Sequence, residues 1–267
     1  MSRIAYFDCF SGCSGDMLLG ALLDAGLDMA ILEKSLCGLN ISGYHLAARK
    51  VQRSSIMATK FDVIMDGDTH QPHRSLSYIL HLIEESQLSD RVKRQSSEIF
   101  RRIGQVEAEI HGVPVEEIHF HEIGAVDSII DIVGTVLSLE ALRIERCYAS
   151  PLPAGSGEVS TAHGRLPAPA PATLQILAEA NAPLIGGNEP GHPKGELITP
   201  TGAALVTSLA TFGQPAMNVH KVGYGAGSKD FLGWPNVVRI WLGEQSTPEP
   251  EEEPRLFAVP AGSQMSR

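Results

Sequence analysis

The sequence predicts an α/β protein, with a mixed sheet flanked by helices in a single main domain and a disordered acidic C-terminal tail. Three observations carry this expectation. Short apolar runs that read as buried strands, such as Ile4-Ala5-Tyr6-Phe7, alternate with stretches of helical period, such as Val92, Ile99, Ile103, Val106 and Ile110. Strand-to-helix junctions are marked by small hydroxyl residues and glycine, around Ser11-Gly12 with Ser14-Gly15 and again at Thr199-Pro200-Thr201-Gly202. From Glu244 the composition turns to proline and glutamate, which suits a linker or tail rather than a packed core. The expected division is a domain over 1–243 and a tail over 244–267.

The elements follow in order. Ile4 to Asp8 reads as a short buried strand ending in a Ser/Gly-rich turn. A helix marked by Met17, Leu18, Ala21, Leu22 and Ala25 comes next, with Ser14 as N-cap and Gly26 as its stop. Asp28 caps a second short helix. Residues 44–65 alternate around Arg53-Ser54-Ser55, which predicts a β-hairpin. The loop over 66–73 holds two Asp and two His. It is either a solvated loop or one that collects metal for a nearby site. Ser75 and Ser89 each open a helix, the second ended by Gly112 and Pro114. Residues 125–142 are helical by pattern. A strand around Tyr148 leads into a Pro/Gly-rich segment, and Pro169 or Pro171 starts a helix reaching Leu177. Thr199 and Pro200 are a good N-cap and first helical residue. Gly223-Tyr224-Gly225-Ala226-Gly227 reads as a glycine-rich turn between two strands, and 236–242 as the closing strand.

Composition limits the function. The chain has 267 residues and a formal net charge of −10. An acidic body argues against non-specific nucleic-acid binding and is compatible with handling cations. Asp8 arrives too early for a signal peptide, and no uncharged apolar run is long enough to span a bilayer, so a cytoplasmic protein without membrane attachment is expected. Four cysteines in a chain of this size do not make a disulfide framework; Cys9 and Cys13, four apart, are expected to be small buried thiols.

The chemistry concentrates in His119-Phe120-His121-Glu122-Ile123-Gly124-Ala125-Val126-Asp127 and its helical continuation through Asp131. In extended backbone, residues two apart point to the same side, which pairs His119 with His121. On a helix, residues four apart stack on one face, which pairs Asp127 with Asp131. Carboxylates on an otherwise apolar helix need a cation, a donor or a metal. Imidazoles plus carboxylates suit a borderline divalent metal. We therefore expect a metal or catalytic site here. The alternative is a helix-start role for Asp127, solvent exposure for Asp131 and surface scatter for the histidines. A second candidate is the turn at Ser11, Gly12, Ser14 and Gly15, whose N–H groups and helix N-terminus suit a phosphate. Asp8 and Asp16 flank it and would favour a phosphate carrying a metal; the alternative is a capped turn with Asp16 on the helix dipole. His163 beside Arg165 and the hydroxyls of Thr199 and Thr201 offer further anion contacts.

Taken together, Phe7-Asp8-Cys9-Phe10-Ser11-Gly12 with Ser14-Gly15-Asp16-Met17, the stretch from His119 to Gly134, His163-Gly164 with Pro167-Ala168-Pro169-Ala170, the run from Glu196 to Ala204, and Gly223 to Gly227 resemble the LarC family of nickel insertion proteins. The resemblance spans nearly all of 3–243, with five motifs in family order. It implies the last step in making the nickel-pincer nucleotide cofactor of lactate racemase, the lyase-class reaction of a nickel chelatase or cyclometallase. Nickel enters pyridinium-3,5-bisthiocarboxylic acid mononucleotide through one nickel–carbon and two nickel–sulfur bonds. It also implies use of CTP with manganese or magnesium, a cytoplasmic homo-oligomer, and lactate racemase as recipient of the cofactor. Family members continue past the linker into a second, CTP-binding domain. Here the chain stops at Arg267 in linker-like sequence, so the expectation is either a separate C-terminal-domain polypeptide as partner or a truncated product.

On this reading His119, His121 and Glu122 bind nickel. Asp127 or Asp131 serves as further ligand or as base, and Glu122 is a catalytic candidate beside them. Asp8, Ser11, Gly12, Ser14, Gly15, Asp16, His163, Thr199 and Thr201 line the nucleotide side. The alternatives are a non-catalytic nickel-binding subunit, a metal-dependent phosphate-ester hydrolase suggested by the His/Asp clusters alone, and a scaffold for the second domain.

Overall fold

The computed structural model describes residues 2–67, 74–120, 125–161, 164–187 and 192–246. The first half runs β1 (Arg3–Asp8), α1 (Gly15–Asp24), α2 (Met29–Leu36), β2 (Tyr44–Arg53), β3 (Ile56–Met65), β4 (Arg74–Ser75), α3 (Leu76–Glu84), α4 (Asp90–His111), β5 (His119–Phe120) and α5 (Val126–Ala141). The second half runs β6 (Arg146–Ala149), β7 (Leu152–Pro153), β8 (Glu158–Thr161), β9 (Gly164–Pro167), α6 (Pro171–Glu179), β10 (Leu184–Ile185), α7 (Pro200–Leu209), β11 (Ala210–Phe212), β12 (Met217–Ala226) and β13 (Val237–Gln245).

Seven strands form one sheet in the order β11-β6-β1-β13-β12-β3-β2. The sheet is mixed. β1 pairs antiparallel with β13 and parallel with β6, and β2 and β3 form the predicted hairpin, with Ser54 in the left-handed region at φ 52°. The expected α/β class with a mixed sheet is what the structure has.

Strand alternation sorts the two faces. Ala5 and Phe7 of β1 and Val238, Ile240 and Leu242 of β13 join the main core, where buried side chains of all seven described helices meet them. Tyr6 and Trp241, register partners on the other face, stack with ring centroids 4.9 Å apart. Each large apolar side chain taken from water into this core contributes about 1.5–3 kcal/mol. Helix starts follow the sequence signals. Asp28, Ser75, Ser89 and Thr199 each accept a backbone N–H from the first turn of the helix they cap.

One expectation is corrected. The stretch from Gly223 to Ala226 is no turn; it is the second half of β12, with Gly227 just beyond. A Cβ on Gly225 would lie 1.8 Å from the Met17 carbonyl oxygen, and one on Gly223 2.1 Å from that of Ala21. The glycines are there because the backbone of α1 lies directly on this strand. That contact sets the height of α1 above the sheet, and with it the position of everything at its N-terminus.

Candidate functional site

Two distant motifs are fastened together by main chain. Cys13 N–H donates to Leu197 O at 2.9 Å, and Thr199 N–H to Cys13 O at 3.1 Å, a short parallel bridge. Gly12, at φ +123°, lets the chains touch: a Cβ there would lie 2.2 Å from the Leu197 oxygen. Gly202, in the first turn of α7, approaches Cys13 O just as closely. These contacts set the N-termini of α1 and α7 side by side. A third helix arrives through Gly15, where an added Cβ would lie 2.5 Å from the Cβ of Asp131 on α5.

The result is a cleft of about 430 Å³. Ser14 and Asp16 from α1, Asp127 and Ser128 from α5, Ala170 before α6, and Thr199 and Thr201 from α7 all line it. Four helix N-termini thus open on one space, and each places partial positive charge there. The N-cap residues of α1, α5 and α6 make no side-chain cap bond. Charged side chains tip the balance the other way. Asp16, Asp62, Asp127, Asp131 and Glu196 line the cleft, with Lys60 as the sole base among the described lining residues.

Lys60 is buried, and its ammonium donates to Asp16 Oδ2 at 2.6 Å and Phe61 O at 2.7 Å and sits 3.0 Å from Asp62 Oδ1. Burial alone would lower this ammonium, yet Asp16 and Asp62 hold it above its ordinary value. Burial works against Asp62 as well, but Lys60 and Arg49 keep its carboxyl below the usual range. Ser14 Oγ donates to the other oxygen of Asp16, so that side chain is held from both ends.

Asp131 is different. Its Oδ1 is sealed from solvent with no hydrogen-bond partner. Burial, and then the Asp16 and Asp127 carboxylates, push its carboxyl well above the ordinary range, against the pull of Lys60 and of a backbone N–H bond from Asp16. Asp127 stands at the open mouth of the cleft, where it accepts from Ser128 N–H at 2.9 Å, and the protein crowded around it pushes its carboxyl up too. Among the described residues, no three His, Cys, Asp or Glu side chains lie close enough together to hold a metal ion in this arrangement.

The structure brings Ser14, Gly15, Asp16, Asp127, Asp131, Thr199 and Thr201 into this one cleft. Three other candidates do structural work outside its lining. Asp8 is buried and paired with Arg239, which donates from Nε at 2.8 Å. Ser11 Oγ donates to Pro235 O at 2.6 Å, and Gly12 supplies the close approach to Leu197. His119 lies in β5, paired with Ser75, six residues before Ala125 at the start of α5. His121, Glu122 and His163 lie outside the described residues, as does 68–73 of the polar loop. Sequence reasoning missed Lys60, Asp62 and Glu196. A signal for the first two was present: Lys and Asp two apart in the middle of β3, where apolar residues are the rule.

The whole cleft lies within residues 5–258, which match the family model described as "Nickel insertion protein". The chain belongs to this family. A protein of Citrifermentans bemidjiense is 49% identical over 253 residues, covering 94% of this chain and 64% of its own length. Proteins of Dictyoglomus thermophilum and Thermomicrobium roseum are 47% and 48% identical, over 61% and 60% of their lengths. All three carry the name "Putative nickel insertion protein". The chain thus spans less than two thirds of these relatives. No solved structure matches it. Among the described residues no helix is long and apolar enough to cross a membrane.

Proposed function

We propose that this chain inserts nickel into pyridinium-3,5-bisthiocarboxylic acid mononucleotide, in a CTP-dependent reaction that forms the nickel-pincer cofactor of lactate racemase. The observation that carries the reading is the cleft itself. It gathers carboxylates from two motifs more than a hundred residues apart, and one of them, Asp131, has an oxygen sealed without a partner. Unpaired buried polar atoms are costly, so a protein that keeps one has a use for it.

The chemistry assigns the roles. A nickel–carbon bond forms at the ring carbon between the two thiocarboxylates as that carbon's C–H bond breaks, and the proton passes to a base. Asp131 or Asp127 takes this role: a carboxylate with a raised proton affinity is a better base than an ordinary one. The two sulfurs complete nickel's coordination, so the protein holds the metal briefly. His119, His121 and Glu122, just upstream of α5, are the delivering ligands. Imidazole and carboxylate release a borderline metal to sulfur more readily than a thiolate cage does. The α1 and α7 N-termini, with Ser14, Thr199 and Thr201, face the nucleotide's phosphate. His163 assists them, and manganese or magnesium accompanies CTP.

A second reading has an observation of its own. On it, the polypeptide binds nickel and acts with a separate CTP-binding polypeptide; the matched segment covers 60–64% of the length of the relatives cited. One experiment addresses both readings. The purified chain is mixed with nickel, CTP and the dithio nucleotide, with and without the remaining segment of a relative, and activation of apo lactate racemase is followed. Activation by the chain alone supports the first reading, and activation only with the added segment supports the second. Replacing His119 and His121 together with Ala should abolish nickel transfer and leave the fold intact; unchanged transfer in that variant rules the nickel-ligand assignment out.

A further inference from the structure

Lys60 is unusual for a lysine. Its side chain is 5% exposed, it reaches Asp16, Asp62 and Phe61 O at 2.6–3.0 Å, and the other charged side chains lining its cleft are all acids. A buried ammonium is retained only where its partners offset its desolvation. Asp16 belongs to α1, whereas Lys60 and Asp62 both lie on β3, so the lysine ties α1 to β3 at the cleft. The Asp16, Asp127 and Asp131 carboxylates are close enough to act electrostatically on one another, and Lys60 acts on Asp131 as well. Acids so arranged cannot all ionise without mutual repulsion, and Lys60 compensates only part of the cluster. The part it leaves is the sealed Oδ1 of Asp131, which accepts no hydrogen bond from the protein.

We propose that Lys60 is a placeholder cation: its ammonium holds the cleft's carboxylates in the metal-free state, and a divalent cation that binds Asp16 together with Asp131 displaces it. The proposal rests on reading the cleft as the metal-handling site. Ser14 and Lys60 between them already occupy both oxygens of Asp16, so a cation that takes this carboxylate has to displace a donor. This supplies what a transfer protein requires. An incoming cation must break the lysine's contacts before it gains the carboxylates, so the net affinity stays low and the metal stays exchangeable. The donors are carboxylate and hydroxyl oxygens, which fit a divalent cation of oxygen preference such as Mn²⁺ or Mg²⁺.

Mn²⁺ is the probe, because the chain's imidazoles compete weakly for it, and the loss of the free-ion electron paramagnetic resonance signal reports binding. The expected result is that Lys60→Gln binds Mn²⁺ at least about tenfold more tightly than wild type, while Lys60→Arg, which keeps the charge, does not. Adding Asp131→Asn to Lys60→Gln should remove the gain. A Lys60→Gln affinity no higher than wild type, or a gain that survives Asp131→Asn, overturns the proposal. Should Lys60→Gln not fold, wild type provides the test. Lys60 should resist amine acylation in metal-free protein and become reactive at saturating Mn²⁺; continued protection overturns the displacement. Racemase activation by the His119/His121 variant is scored separately, so the nickel-insertion reading and the placeholder role stand or fall independently.

Discussion

Replacing Asp131 with Asn should make the metal-free protein more stable at neutral pH. The amide keeps the side chain's shape, its oxygen accepts the Asp16 N–H that the carboxyl now accepts, and its charge state does not change with pH. The sign follows from the raised carboxyl. Below about pH 4, the ordinary carboxylate range, Asp131 is protonated in both folded and unfolded chains and costs nothing. Above that, the unfolded chain releases this proton while the folded chain keeps it, so the folded state binds more protons and loses stability as pH rises. One retained proton gives a slope of about 1.4 kcal/mol per pH unit, until the folded group itself ionises. Asp127 shifts the same way, and Asp24 and Asp62 the opposite way, but these are common to both proteins and cancel in the difference. Urea unfolding of wild type and variant from pH 4 to pH 8 with a chelator present measures it. The two stabilities should converge near pH 4 and separate above it, at no more than about 1.4 kcal/mol per unit and only until Asp131 ionises in the folded chain, with the variant higher. Parallel curves, or a wild type that gains on the variant as pH rises, would refute the account of Asp131 as an uncompensated buried carboxyl.

Asp24 should behave in the opposite sense. It accepts from Thr59 Oγ1 at 2.8 Å and Tyr224 N–H at 2.9 Å and pairs with Lys50, and despite burial its carboxyl is held below the usual range. Asp24→Ala should cost about 2–4 kcal/mol at pH 7, because it orphans two donors. The cost should shrink as pH falls through the folded carboxyl's titration, and a cost that grows on acidification would contradict the assignment. Gly15→Ala should lower stability by about 1–3 kcal/mol in thermal melts, because the new methyl meets the Asp131 Cβ rather than a yielding chain end. The same variant should impair nickel insertion by pushing α1 off α5, although Gly15 has no side chain to take part in chemistry. Full activity in a destabilised Gly15→Ala protein would show that the contact serves packing alone.

Much of the local structure was legible in the chain. The caps at Asp28, Ser75, Ser89 and Thr199 and the hairpin around Ser54 follow from side-chain hydrogen bonding and alternation, which act over a few residues. The alignment of Asp127 with Asp131 also follows from helical spacing, and both reach the cleft. Asp8 shows where such reasoning stops. Beside Asp16 in a Ser/Gly turn it looks like part of the same anion site, yet it pairs with Arg239, 231 residues away, because β1 and β13 are register partners there. Lys60 was passed over for the reverse reason. Its one local mark is a charge in mid-strand, and its partner Asp16 is 44 residues distant.

The sequence by itself determined the element types, their caps and the five motifs that resemble one family, because each depends on neighbours along the chain. Only the tertiary structure decided which acids share a cleft. That choice rests on glycines at points of backbone contact: Gly12 and Gly202 join the first turn to the strand and helix around Thr199, Gly15 admits Asp131, and Gly225 sets the height of α1. A glycine's sequence position does not say what approaches it. The fold supplies the second surface, and with it the difference between an aspartate that ties strands together and one left waiting with an unpaired oxygen.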